Sequence, residues 1–290
     1  MHGTPSTKSI VITGSSTGIG AACAVELARR GWHVFAGVRK LEHADSLLES
    51  LGTGAGSIHP LLVDVTDGQA VQAAAREVAA AVGGAGLGAL VNNAGIVIAG
   101  PLEILPIEQF RRQLEVNLVG ALAVTQQFIP LLRKSRGRLV NISSVNGAIA
   151  PPYLGAYAAS KHALEAIGDS LRLELRPWGI GVAMVEPGPT QTPIWEKSSE
   201  AGDDLAARVP AESLALYEGD FAAMRKAAEG LAARAVSVHR VVHAVLRALT
   251  DRRPRSRYYI TWESRLSYKG FRMLPDRFRD WIVRRALGLR

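Results

Sequence analysis

A chain of 290 residues with 48% hydrophobic and 21% charged side chains carries enough apolar material for a buried core and too little charge for a disordered polymer. One cysteine, Cys23, excludes an internal disulfide; the first eight residues are polar, and no run of about eighteen apolar residues occurs, so a cytoplasmic, non-spanning protein is expected. The formal charge of +8 resides wholly in residues 251–290, which hold twelve Lys and Arg against four Asp and Glu, while the first 250 residues hold 22 of each sign.

Ser9-Ile10-Val11-Ile12 reads as a short buried strand running into Thr13-Gly14-Ser15-Ser16-Thr17-Gly18-Ile19-Gly20. An apolar-periodic helix follows, with Ala22, Val25, Leu27 and Ala28, and Gly31 stops it. Strand, glycine turn, helix is the setting of a phosphate site: glycines let the backbone approach a pyrophosphate, and the helix N-terminus offers unpaired N–H groups. An ordinary tight turn is the alternative reading. The spacing differs from G-x-G-x-x-G.

Strand and helix patterns then alternate. His33–Val38 is a strand, 42–51 a helix, Ile58–Val63 a strand and 67–82 a helix. After the Gly83-Gly84-Ala85-Gly86 loop, Leu87–Val91 is a strand that feeds Asn92-Asn93-Ala94-Gly95. A long helical stretch over about 106–134 leads to the strand Arg138–Ile142, to a helix bearing Tyr157, and to the strand Gly181–Val185. Tyr258-Tyr259-Ile260-Thr261 supplies an edge strand. This alternation predicts an α/β fold, a doubly wound parallel sheet of about seven strands with helices on both faces, in one domain. Such sheets bind ligands beyond the carboxyl ends of their strands.

Tyr157 and Lys161 are four positions apart, with Ser144 upstream. One helical turn sets a phenol and an ammonium on one face, about 5–6 Å apart. A neighbouring cation favours the phenolate over a phenol of pKa near 10, and Ser144 can hydrogen-bond the oxygen that the phenol protonates. That is equipment for interconverting an alcohol and a carbonyl.

Taken in order, T-G-x-x-x-G-x-G, Asn92-Asn93-Ala94-Gly95, Asn117, Ser144, Tyr157/Lys161 and Pro187-Gly188 resemble the short-chain dehydrogenase/reductase family from about Lys8 to Thr192. The resemblance implies a Rossmann-type domain that binds a nicotinamide dinucleotide and moves a hydride. It implies catalytic roles for Asn117, Ser144, Tyr157 and Lys161, with Asn117 holding a water in a proton relay through Lys161. Cofactor contacts are implied for Gly14, Ser16, Thr17, Gly18, Ile19 and Gly20, for Asp64 and Val65, and for Asn93, Ala94 and Gly95. Lys161 would reach the nicotinamide ribose beside Tyr157, and Pro187, Gly188, Thr190 and Thr192 the carboxamide. Asp64 could equally cap the next turn. Where an acid would select NAD, the second strand ends in Val38 and Arg39; a guanidinium suits a 2′-phosphate, so NADP(H) is expected over NAD(H). Arg39 stacking on adenine is the other reading.

Residues 8–192 would form the cofactor-binding and catalytic core, 193–235 a helical substrate flap and 251–290 a basic helical extension. Ile194, Trp195, Leu214, Leu216, Tyr217, Phe221 and Met224 on the flap, with Tyr153 and Leu154 opposite, suit a lipophilic alcohol or carbonyl, unless they are ordinary core. Tyr258-Tyr259-Ile260-Thr261 and Leu274-Pro275-Asp276-Arg277 are similar to retinol and hydroxysteroid dehydrogenases of the family. From Pro275 to Leu289, apolar side chains at helical spacing are flanked by Arg277, Arg279, Arg284, Arg285 and Arg290. That helix either contacts an anionic membrane peripherally or packs on the domain or a partner subunit. No metal site is expected, since His239 and His243 have no third ligand at metal spacing, and no nucleic acid partner is expected. A homodimer or homotetramer is implied by the family. The alternatives are an NAD-dependent dehydrogenase of a smaller alcohol or ketone, and a nicotinamide-binding regulator without turnover.

Overall fold

The computed structural model describes residues 7–52, 55–193, 209–261, 264–265, 270–271 and 273–288; the flap residues Ile194 and Trp195 and the terminal Leu289 and Arg290 lie outside them. Seven parallel strands form one sheet in the order β3-β2-β1-β4-β5-β6-β7. They are β1 (Ser9–Ile12), β2 (His33–Val38), β3 (Ser57–Leu62), β4 (Ala89–Asn92), β5 (Arg138–Ile142), β6 (Gly181–Glu186) and β7 (Arg257–Tyr259). Five of the seven, β1, β2, β4, β5 and β6, are largely runs of Val, Ile, Leu, Phe, Ala and Met that neighbours bury on both faces, as a parallel sheet demands. The exceptions are the two edge strands: β7, which is Arg257-Tyr258-Tyr259, and β3, where Pro60 opposite Ala36 costs no ladder bond on the open side.

Helices cover both faces. On one side α1 (Gly18–Arg29), α2 (Asp45–Leu51) and the helix Val238–Thr250, numbered α9 below, bury Leu27, Ala28, Leu47, Val241, Val245 and Leu249 against β1, β2 and β5. Cys23 sits in this layer, and burial pushes its thiol up to about 12, so it is an inert core group. On the other side α3 (Gly68–Val82), α5 (Gly120–Ser135) and α6 (Gly155–Glu174) bury Val71, Val78, Val124, Phe128 and Leu171. The expected 106–134 helix is one run with an interruption: α4 (Ile107–Leu114), a π-helical turn (Glu115–Val119), then α5. That 29-residue run, which includes an 18-residue stretch of mean hydropathy 1.2, has the length and composition to cross a membrane, yet its apolar face is spent on the sheet.

Beyond β6 come α7 (Ala211–Ala215), α8 (Glu218–Ala233), α9 and, after β7, α10 (Asp276–Leu287). The chain leaves β1 toward β2 and β3, and re-enters the sheet on the other side of β1 at β4. Loops after β1 and β4 therefore diverge and open a crevice at the carboxyl end of the sheet.

Candidate active site

That crevice is a cleft of about 1370 Å³. Every cofactor and catalytic residue expected from the sequence lines it, with one exception: Gly20 lies beneath the glycine turn. There, a Cβ would stand 2.3 Å from the Gly14 carbonyl oxygen and 2.5 Å from Asn93 Nδ2. Gly14 and Gly18 have φ of 66° and 62°, a region that L side chains avoid. Thr17 caps α1 in extended conformation with no side-chain hydrogen bond to the helix, which leaves the N–H groups of the first turn to face the cleft.

The turn after β4 is bolted to the glycine turn. Asn93 Nδ2 donates to the Thr13 and Gly14 carbonyls at 3.0 and 2.9 Å, and Thr13 Oγ1 accepts from the Asn93 and Ala94 N–H groups, both at 3.0 Å. Asn92 reaches the other way, donating to Asn141 on β5 at 2.9 Å and to Thr125 on α5 at 2.8 Å. The result is a rigid floor under the middle of the cleft.

Arg39 lies exposed at the end of β2, on the same cleft wall as Thr17 and Asp64. Burial alone would raise the Asp64 carboxyl, but hydrogen bonds from Thr66 N–H and Oγ1, at 2.9 and 2.7 Å, and the Arg39 charge hold it below the usual carboxylate range. Both Thr66 bonds fall on Oδ1, so Asp64 does cap its turn while still bordering the cleft.

Across the cleft, α6 presents Tyr157 and Lys161, with the Lys161 Nζ 5.8 Å from the centre of the phenol ring. Ser144, at the start of the loop after β5, lies beside the Tyr157 hydroxyl, and its Oγ accepts from Asn146 N–H at 3.2 Å. The electrostatics correct one expectation. Burial pushes the Tyr157 phenol above its ordinary 10.0, with only the neighbouring Ser144 hydroxyl pulling down; the lysine does not lower it. Physically, a phenolate here would lose its water, and the Lys161 ammonium is turned to the Ile142 carbonyl at 2.8 Å. Burial pushes Lys161 itself down to about 8, against an upward pull from Glu165 one turn along α6. Glu165 in turn meets Arg257 of β7 at 2.9 Å, and the same guanidinium meets Asp169 at 2.8 Å and Glu186 at 3.3 Å.

Asn117 lies in the π-helical turn and is 1% exposed. Its Oδ1 accepts from Ile96 N–H at 2.8 Å, and its Nδ2 donates to the Ile96 carbonyl at 3.0 Å and to Ser160 Oγ at 3.1 Å. The side chain thus holds the β4 loop to α6, and no hydrogen bond joins it to Lys161. Sequence reasoning missed Gln113, which is fully buried and clamps the same loop, accepting from Ile98 N–H at 2.7 Å and donating to the Ile96 carbonyl at 2.8 Å. A glutamine one helical turn before Asn117 was the available signal. Pro187, Gly188, Thr190 and Thr192 follow β6 and close the cleft beside Val145, whose N–H donates to the Pro187 carbonyl at 3.0 Å. Leu154, Leu214, Phe221 and Met224 add an apolar wall. Leu216 is instead 76% exposed and outside it, because α7 turns that side chain to solvent.

Among the described residues no group of three His, Cys, Asp or Glu side chains is placed to hold a metal ion.

Comparison with known proteins agrees with this geometry. The family model for short chain dehydrogenase matches residues 8–203. The NADPH-dependent 3-dehydrocapnine reductase of Ornithobacterium rhinotracheale is 36% identical over 282 residues, covering 96% of each chain. The 17-beta-hydroxysteroid dehydrogenase type 6 of Bos taurus is 36% identical over 285 residues, covering 96% of this chain and 88% of its own. Among solved structures, a short chain dehydrogenase from Burkholderia cenocepacia in complex with NADP superposes with a TM-score of 0.69 at 25% identity, covering 96% and 97% of the two chains. A parallel sheet of this order, the glycine turn and these relatives agree: the chain belongs to the short-chain dehydrogenase family and is an oxidoreductase of alcohols and carbonyls.

Proposed function

We propose that the protein is an NADP(H)-dependent reductase or dehydrogenase of a lipophilic, steroid- or retinoid-like alcohol or carbonyl compound, with Tyr157 as acid and base. The observation that carries this is the meeting of Tyr157, Lys161 and Ser144 on one side of a cleft whose other side is the glycine turn after β1, with Arg39 beside it at the end of β2. The residues present fit a dinucleotide: the glycines at 14, 18 and 20 leave a cradle that side chains would fill, over a helix N-terminus without a side-chain cap. Arg39 and Thr17 would hold a 2′-phosphate, Asp64 and Val65 the adenine side, and Asn93 to Gly95 the ribose. Lys161 would hold the second ribose, and Pro187 to Thr192 the carboxamide. When bound, the dinucleotide supplies or accepts the hydride.

In reduction, the Tyr157 phenol gives its proton to the substrate oxygen. Its raised pKa suits that direction, since the group stays protonated at neutral pH. Ser144 orients the same oxygen, and Lys161, one helical turn on, would hold the ribose that sets the cofactor against Tyr157. The apolar wall formed by Leu154, Leu214, Phe221 and Met224 supports a lipophilic substrate, as does the steroid activity named for the bovine relative. The chain is read as one domain, with 8–192 as core, 193–235 as flap and 251–290 as extension, in the cytoplasm.

The test is a coupled screen of NADPH and NADH oxidation across ketosteroids, retinal and simple aldehydes, run on the wild type and Tyr157→Phe. The variant is expected to bind NADPH normally and to lose about 10²–10⁴ in turnover. Normal turnover in the variant ends the assignment.

A further inference from the structure

The outward face of α10 sets aromatic rings beside arginines. Positions 277, 278, 281, 284 and 285 share one side at the helical repeat, and Arg277, Phe278, Trp281, Arg284 and Arg285 are all exposed. Phe278 and Trp281 leave 48% and 56% of their surface open, and their rings stack 5.6 Å apart at 15°. The opposite side, with Ile282, Val283 and Leu287 half-buried, is turned inward, where α10 packs on α8. Just before the helix, Met273 is 85% exposed.

Among the described residues the arginines of this face make no salt bridge, although the exposed Asp280 stands at its edge. Arg279, on the inner side, pairs with Asp276, whereas Arg277, Arg284 and Arg285 have no carboxylate partner among the described residues. Aromatic rings flanked by unpaired arginines match one environment in particular: the headgroup layer of an anionic bilayer, which takes rings at its apolar boundary and guanidinium groups at its phosphates. A second copy of the chain fits poorly, because a two-fold contact through this face would set the same arginines against each other.

We propose that this face of α10 is a docking surface for an anionic lipid bilayer. Phe278 and Trp281 enter the headgroup layer, and Arg277, Arg284 and Arg285 meet lipid phosphates. Leu287 on the inner side of the helix lines the catalytic cleft, so the docked protein holds the cleft next to the lipid. The surface stands on the helix alone, whatever substrate the cleft takes.

The experiment is co-sedimentation of the full chain with phosphatidylcholine vesicles, with and without phosphatidylglycerol, at low and high salt. Binding is expected only to the mixed vesicles, falling about tenfold or more in high salt. A Phe278→Ser/Trp281→Ser double variant and an Arg284→Glu/Arg285→Glu double variant should each lose it about tenfold while keeping wild-type reduction of a water-soluble aldehyde. No binding of the wild type to mixed vesicles at low salt overturns the proposal, as does undiminished binding of both variants. It is equally overturned if the serine variant changes the oligomeric state in gel filtration, or if a single-stranded oligonucleotide binds this face in preference to vesicles.

Discussion

The Tyr153 hydroxyl donates to the Asp220 carboxylate at 2.5 Å, which joins the loop just ahead of the catalytic Tyr157 to the flap helix α8. Burial and that carboxylate push the Tyr153 phenol upward, so the bond holds throughout the neutral range. The same ring lies 6.2 Å from Tyr217 and 5.9 Å from Phe221, and Tyr217 hydrogen-bonds Glu103 on the far side of the opening. Two phenol–carboxylate bonds and three rings therefore fasten α8 over the apolar wall. Tyr153→Phe keeps the rings and deletes one bond, worth about 1–2 kcal/mol for a charged acceptor near the surface. Limited proteolysis between 209 and 233 should quicken by about tenfold, and substrate KM should rise with kcat nearly unchanged. An unaltered cleavage rate would mean that the bond does not hold the flap.

Arg39 decides the coenzyme in this reading. Replacing it with Asp removes a donor for a 2′-phosphate and adds a charge that repels it. The ratio of kcat/KM for NADPH over NADH should fall by about 30-fold or more, equivalent to about 2 kcal/mol. A ratio that stays put in Arg39→Asp would show that the guanidinium stacks on the base and does not read the phosphate.

Gly20 gives a test of the cradle that needs no substrate. An alanine methyl there would collide with the Gly14 carbonyl and Asn93 Nδ2, both fixed by the hydrogen bonds that join the two turns. Gly20→Ala should cost about 1–3 kcal/mol in urea denaturation and weaken NADPH binding in calorimetry. The control is Gly68→Ala, where nothing lies within 4 Å of the new methyl and stability should hold or rise. Equal behaviour of the two variants would refute a tight cradle.

What the sequence disclosed and what it hid follow from the range of the forces involved. Strands β1, β2 and β5 could be bounded to the residue because their signal is local: a β-branched, apolar run that ends at a polar turn. The glycine turn and the Tyr157/Lys161 pair are local too. Gln113 had only its spacing from Asn117 to mark it, because its partners, Ile96 and Ile98, lie outside its helix and meet it only through the fold. Tyr153 and Asp220 are farther apart still, at 67 positions. The Tyr157 titration was read with the wrong sign, since counting a neighbouring cation says nothing of the water that burial removes.

Lys161 carries the clearest pH signature. It is 6% exposed, and its pKa of about 8 lies below the ordinary 10.5 because the folded state strips water from the ammonium. Below pH 8 the folded protein bears the full desolvation cost of the charge. Between about 8 and 10.5 the unfolded chain binds more protons than the folded one, so this group's contribution to stability becomes less unfavourable as pH rises. Removing the ammonium in Lys161→Met should relieve about 3 kcal/mol at pH 7, less about 1 kcal/mol for the lost bond to Ile142. The net gain of about 2 kcal/mol should shrink by pH 10 in urea denaturation. The same variant should lose reductase activity, because no ammonium would remain to hold the ribose beside Tyr157. A Lys161→Met protein less stable than wild type at pH 7 would show that the ammonium is a net structural asset, bound by more than the Ile142 carbonyl, and that its low pKa is not what tunes the site.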